Sequence, residues 1–461
     1  AVIPFLVING KSEPDLRFST VMTGGNFVPE SEQIVNLSGL LILLATSASG
    51  KTRSMFDAAR QTYLIYVNCL LDRYYGQKNP SDECRIVEKL FPTMVDLVFD
   101  RCEHIYDPNA KEMEGYRLIT ADICSRVVFL NWLLEAFQDQ PELCTPEQFL
   151  LLQLDGRQER MLELFKILAD KPIDVIQEIC EHACLQLAAR GVKPIFAIDE
   201  AQIPANICSD DTEGKCAFKH AENSYISRRL LYAYARKADQ LLTRPPIVIA
   251  GTGLTRNTAN QVPIALDKDS VKLQPLPLLS HEGVVQRLKR LLNVTDDEIA
   301  QVKNLEKLVG RPRWTTDVVQ RLAKRTLGDE LANKPKSEIL KRYIDSVTDD
   351  AIREVVQTLR RSPLSEFKVL GGDNHLPRLL RNMFIIFSVL KHEPHVLQMF
   401  FTNHEAQMML RFGLGQVNDP LSSFPIVPIA LNDYVTRQAV FEYAQKNNWS
   451  VADAMFLNYV D

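Results

Sequence analysis

The chain has 461 residues, of which 46% are hydrophobic and 24% charged, with a net charge of −5 and a pI near 6.0. A length and composition of this order fit two to four ordinary globular domains. No run of eighteen apolar residues occurs, which argues against a membrane-spanning helix, and the acidic balance argues against a chain-wide coat of nucleic acid.

Residues 1–38 are polar and irregular, with Thr23-Gly24-Gly25-Asn26 as a turn signal, and read as an N-terminal extension. The chain opens on Ala1, so a leader or an earlier domain is expected to have been removed. Leu40 to Leu44 is a fully apolar run, the mark of a strand covered on both faces. The polar loop ATSASGKT follows, and then helical composition from Thr52 to Gln61. YLIYV, Tyr63 to Val67, is a second buried strand. This strand–loop–helix–strand order predicts a parallel α/β sheet.

From about 71 to 190 the apolar residues recur at three- and four-residue spacing, which predicts a helical insertion. PIFAI, Pro194 to Ile198, is a third buried strand and delivers Asp199 and Glu200 at its end. Tyr225 to Leu242 reads as a helix rich in arginine. PIVIA, Pro246 to Ala250, is a fourth strand and runs into Gly251-Thr252-Gly253. After Pro277 the pattern is helical to about Leu390, and the last seventy residues mix helix with a loop over Gly413 to Pro428. The domains therefore divide as 1–38 extension, 39–278 core with its insertion, 279–335 helical lid, and 336–461 C-terminal helical domain.

The loop matches a P-loop, Gly-x4-Gly-Lys-Ser/Thr, except that Ala45 stands at the first glycine. In such a loop the backbone N–H groups cradle phosphates at the positive end of the next helix. The cradle here would run through Ala45, Ser47, Ala48, Ser49, Gly50, Lys51, Thr52 and Arg53. Lys51 would reach the β- and γ-phosphates, Thr52 would hold Mg²⁺, and Gly50 would permit close backbone approach. Asp199 would hold the same metal through water, and Glu200 would polarise the attacking water. Thr252, with Arg256 as second choice, would sense the γ-phosphate. Arg311 and Arg313, in VGRPRW, would stabilise developing charge. A Gly-Pro turn with solvated arginines is the bland alternative for that last motif.

Three further features of the sequence admit more than one reading. Arg228, Arg229 and Arg236 read either as arginine fingers toward a neighbouring subunit of a homo-oligomer or as a plain basic helix face. From Val284 to Lys391 there are 21 Lys+Arg against 14 Asp+Glu, a local +7 that reads as a solvated helical face or as a DNA-contacting surface. The nine cysteines are odd in number and lack framework spacing, which suits a reducing intracellular compartment. Among them Cys180, Cys184, Cys208 and Cys216, with His220, are better read as buried thiols than as a zinc site.

In their order, ASGKTR, a strand ending DEAQ, GTGL and GRPRW resemble the NTPase module of Crinkler effectors of water moulds, fungi and other eukaryotes. The resemblance spans roughly Leu40 to Leu322. Ala406 to Gly415 and a segment near Pro428 to Tyr443 continue it more weakly toward a nuclease domain expected beyond this chain. The family's loop carries glycine where this one has Ala45 and Ala48, and its ubiquitin-like header is not visible. The resemblance implies a secreted effector delivered to a host cell, with the nucleus as one destination and DNA or a host protein as partner.

Together these readings predict an ASCE, AAA-like P-loop NTPase that hydrolyses ATP or GTP with Mg²⁺ to drive a conformational switch or remodelling. Two rivals stand beside it: a nucleotide-locked interaction module without turnover, and a DNA-binding protein acting through 284–391.

Overall fold

The computed structural model describes residues 5–8, 11–14, 29–45, 50–69, 108–154, 158–201, 218–220, 223–228, 230–252, 271–276, 279–292, 294–325, 335–361, 375–389, 398–402, 414, 416–417, 426–430 and 434–460. Its centre is a five-stranded, all-parallel sheet of β1 (Leu40–Ala45), β2 (Leu64–Asn68), β3 (Ile195–Asp199), β4 (Ile247–Thr252) and β5 (Val271–Pro275). The spatial order is β2-β3-β4-β1-β5. Strand β4 thus lies between the loop-bearing strand and the acid-bearing strand. The two motifs are therefore not on adjacent strands. An all-parallel sheet in this order, with helices on both faces, is a P-loop NTPase core of the ASCE, AAA-like type.

Both faces of the sheet are covered, which explains the continuous apolar runs. Along β1, Leu40 and Ile42 face one side and Leu41 and Leu43 the other, all buried. The first face packs α3 (Pro108–Ala136), α5 (Gln158–Ala169), α6 (Ile173–Ala189) and α7 (Leu230–Leu241). The second packs α1 (Pro29–Val35), α2 (Lys51–Ala58) and α4 (Pro146–Leu154), through Ile34, Met55, Phe56 and Leu150. Each fully buried Leu, Ile or Phe contributes on the order of 1.5–3 kcal/mol. The interleaved stripes therefore supply most of the drive that closes the three layers.

The described part of the insertion, α3 to α6, is helical, and it also seals an edge. Strand β2 is last in the sheet, so its outer backbone groups need partners. Buried Gln153 of α4 accepts from Tyr66 N (3.0 Å) and donates to Leu64 O (2.7 Å). Arg126 of α3 donates to Tyr66 O (2.6 Å) while pairing with buried Asp122 (3.1 Å), which in turn accepts from the Tyr234 hydroxyl of α7 (3.3 Å).

The C-terminal region gathers α8 (His281–Leu292), α9 (Asp296–Ala300), α10 (Pro312–Arg325), α11 (Lys336–Arg361), α12 (His375–Val389), α13 (Tyr434–Lys446) and α14 (Val451–Val460). One buried cluster runs through it from Val284 to Ala454 and includes Trp314, Tyr343 and Phe387. Helix α9 starts at a reciprocal capping box, Thr295 with Glu298.

Several local readings differ from the structure. The extension is not wholly irregular: Phe5–Ile8 pairs antiparallel with Lys11–Pro14, and α1 follows. Strand β5 went unread, since VKLQP alternates in the manner of an edge strand. The segment read as one helix over Tyr225–Leu242 is a strand, Asn223–Arg228, followed by α7, so Arg228 is not on a helix. The β-branched and aromatic residues of NSYISR favour the extended chain. The C-terminal region also carries a three-stranded antiparallel sheet of Gln398–Thr402, Ile426–Ala430 and Gln416–Val417.

Candidate functional site

In a parallel sheet every strand delivers its last residue to the same edge, where such folds bind their ligands. Here the register sets Ala45 of β1 beside Thr252 of β4, and Asn68 of β2 beside Asp199 of β3. Ala45 is the last residue of an extended strand, a conformation open to any residue, so this position does not require glycine. Gly50 does: it caps α2 at φ 103°, in the left-handed region. A Cβ built there would meet nothing within 4 Å, so the backbone angle, and not crowding by the protein, demands glycine. Residues Ser47, Ala48 and Ser49, and Arg256, lie outside the described residues. The Thr252 backbone ends β4, and its side chain is likewise outside them.

Helix α2 opens with Lys51, Thr52 and Arg53 and has no acidic residue in its first turn. Cations at a helix N-terminus oppose the macrodipole, an arrangement relieved by an anion. The Thr52 hydroxyl donates to Asp199 Oδ2 at 2.6 Å, across 147 residues of chain. The Tyr66 hydroxyl donates to the same oxygen at 2.7 Å, and Glu200 N donates to Oδ1 at 2.9 Å. Asp199 is 2% exposed, so these three bonds hold an almost dry carboxylate. Glu200 itself takes φ 52°, uncommon for a side-chain-bearing residue. The turn is pinned behind it by Ala201 N to Ala250 O (2.9 Å).

Lys51 is 6% exposed. Burial pushes its ammonium down to about 8; Glu200 and Asp199 pull it back up and Arg311 pushes it further down. Lysine, acid pair and arginine therefore share one electrostatic neighbourhood. Arg311, 5% exposed, reaches it from the turn before α10, with Nη2 on Thr436 Oγ1 (3.0 Å) and its guanidinium over Trp314 (5.5 Å). Gly310 beside it sits at φ 115°. Arg313 turns along its own helix toward Asp317 (3.5 Å), with its side chain 38% exposed.

The remaining sequence candidates fall elsewhere. Arg236 of α7 lies by the Tyr232 hydroxyl (3.2 Å), and Arg229 lies outside the described residues. Cys180 is buried and Cys184 half-buried; the hydrogen bond with Cys124 and then burial raise the Cys180 thiol, against a lowering by Cys184, and the hydrogen bond with Cys180 and then burial raise the Cys184 thiol. Cys208 and Cys216 are outside the described residues, as is the side chain of His220. Among the described residues no group of three His, Cys, Asp or Glu side chains is set to hold a metal, and no helix is long and apolar enough to cross a membrane. In the basic segment, Lys289, Lys307, Arg313, Arg321, Lys336 and Arg353 pair with acids of the same segment, which spends part of its charge internally.

Sequence reasoning missed Tyr66, which was read as one more apolar residue of YLIYV. The available signal was that a buried tyrosine hydroxyl needs a partner.

No family model and no curated protein matches the sequence. Among solved structures, the chain is similar to the Aeropyrum pernix ORC2 protein in its ADPNP–ADP complexes, at 9% identity and a TM-score of 0.36, over 95% of this chain and 96% of that one. It is also similar to the Aeropyrum pernix ORC1 protein in complex with DNA, at 12% identity and a TM-score of 0.34, over 94% and 97%. Likenesses this distant carry no argument about activity, which rests on the site itself.

Proposed function

We propose that a P-loop nucleoside triphosphatase, working on ATP or GTP with Mg²⁺, is what this geometry serves. The observation that carries the reading is the 2.6 Å bond from Thr52 to Asp199, which joins two motifs far apart in sequence beside buried Lys51. An oxygen-only pair of this kind suits a hard cation such as Mg²⁺, held by Thr52 directly and by Asp199. The ion would neutralise charge on the phosphates. Lys51 supplies a desolvated positive charge for the β- and γ-phosphates, and burial strengthens that interaction. Arg311, held by Thr436 and Trp314, adds a second fixed cation, and its coupling to Lys51 favours it over Arg313 for this role. Glu200, on the turn beyond Asp199, orients and polarises water as a general base. Thr252, at the tip of the strand between loop and acids, completes the phosphate end of the site.

Hydrolysis is coupled in this reading to a switch of the helical region that carries Arg311, or to remodelling of DNA or a protein partner. The Crinkler-like setting, with delivery to a host cell and action on a host protein or in its nucleus, rests on the order of sequence motifs alone. The deciding experiment compares phosphate release and nucleotide binding in wild type and Glu200→Gln. Loss of about 10²–10⁴-fold in turnover with binding retained is expected. Equal background rates in both proteins would remove the triphosphatase. Retained binding would then leave the nucleotide-locked module, and absent binding would remove both.

A further inference from the structure

Side chains alternate along β2, so Leu64 and Tyr66 join the layer of α2 while Ile65 and Val67 join the opposite layer. The register sets Tyr66 beside Ala197 of β3, whose side chain is a single methyl. Asp199 follows two residues later on the same face of β3. A ring at position 66 can therefore extend past Ala197, and the Tyr66 hydroxyl meets Oδ2 of Asp199 at 2.7 Å. The residue is also held from other sides. The Phe56 ring of α2 stands edge-on to the Tyr66 ring, with centroids 5.3 Å apart. Gln153 accepts from Tyr66 N, and Arg126 donates to Tyr66 O. Phenylalanine would pack in the same way, so packing alone does not call for the hydroxyl.

A carboxylate offers about four lone-pair directions, shared between its two oxygens. Thr52 and Tyr66 both donate to Oδ2, and Glu200 N takes one direction on Oδ1. Among the described residues this leaves roughly one direction, on Oδ1. A cation cannot then take both oxygens of Asp199 without expelling a donor. Thr52 is half-buried, and its hydroxyl keeps lone pairs of its own for a cation while it donates. Tyr66 is 2% exposed and closes the carboxylate from the β2 side. Mg²⁺ dehydrates reluctantly and keeps several waters, which a single open carboxylate direction can receive. Ca²⁺ takes about six to eight oxygens and readily uses both oxygens of one carboxylate.

We propose that Tyr66 determines metal specificity: its hydroxyl closes Oδ2 of Asp199, so that the carboxylate holds a hydrated Mg²⁺ through water and turns away Ca²⁺. Tyr66 is a positioning residue, acting through Asp199 and not on the nucleotide. The inference rests on the reading of this site as one for a nucleoside triphosphate with its metal.

The test uses the full chain and non-hydrolysable ATP and GTP analogues. Affinity is measured by calorimetry with Mg²⁺, with Ca²⁺ and with chelator alone, beside thermal melting. Wild type is expected to bind the preferred analogue about tenfold or more tightly with Mg²⁺ than with Ca²⁺. In Tyr66→Phe the Mg²⁺-supported affinity should fall by about 10–100-fold. Its Ca²⁺-supported affinity should hold or rise, and its affinity in chelator should match wild type. Tyr66→Met, an adaptable apolar replacement, repeats the comparison should Tyr66→Phe fail to fold. A merely structural role lowers the melting temperature and weakens both metal complexes alike; an unchanged Mg²⁺-to-Ca²⁺ ratio in the variants would overturn the proposal and leave the nucleotide reading standing. Wild type binding equally well with either metal would overturn it in the same way, with no variant needed. No analogue binding by wild type under any condition would remove the nucleotide reading, and this inference with it.

Discussion

Replacing Lys51 by Met should make the ligand-free protein more stable while destroying its response to nucleotide. The lysine is 6% exposed, and its ammonium is pushed from 10.5 down to about 8, by burial first. At about 1.4 kcal/mol per tenfold change in the proton equilibrium, holding it charged costs the fold about 3 kcal/mol. That figure already includes the attraction of Glu200 and Asp199 and the repulsion of Arg311. Methionine keeps the apolar stem and drops the charge, so a gain of about 1–3 kcal/mol is expected at pH 7. The gain has a pH signature. Between about 8 and 10.5 the unfolded chain keeps a proton that the folded chain has released, so wild-type stability from this group rises with pH through that window. The advantage of Lys51→Met should therefore be full below pH 8 and fade by about pH 10. Urea unfolding of both proteins at pH 7.0, 8.5 and 10.0 reads this as a difference in midpoint that shrinks with pH. A variant less stable than wild type at pH 7, by a margin that does not change with pH, would refute the reasoning. It would mean that Lys51 is stabilised where it lies and is not held there in wait for an anion.

Tyr66→Phe removes one of three donors to Asp199 and should cost about 1–3 kcal/mol in urea unfolding; an unchanged midpoint would show that the carboxylate does not need it. Arg126→Met strands Asp122 in the core and should cost roughly 3–5 kcal/mol, with Asp122→Asn in the same chain recovering part of the loss. If the 284–391 segment is a solvated helical face, part of whose charge is already held in internal ion pairs, duplex DNA affinity should fall by no more than about tenfold between 50 and 200 mM salt. A loss near 10³-fold by electrophoretic shift or anisotropy would instead restore that segment as a phosphate-contacting surface.

What the sequence determined by itself is the buried strands and the polar residues that follow them. Four buried strands were legible as unbroken apolar runs, because a sheet covered on both faces has no polar side to interrupt them. Gly50-Lys51-Thr52 and Asp199-Glu200 were legible because strand ends are where polar residues must follow apolar ones. Spatial order was not written there. That β4 separates the loop strand from the acid strand follows from which hydrogen-bonded edges pair, and periodicity holds no record of pairing. Strand β5 and the segment Asn223–Arg228 were missed for a related reason, since short alternating stretches gain their conformation from neighbours. Only the tertiary structure brought Thr52 and Tyr66 onto Asp199 and set the Arg311 guanidinium against Thr436. Those relations join residues dozens to hundreds of positions apart, where burial removes the water that would otherwise screen one charge from the next.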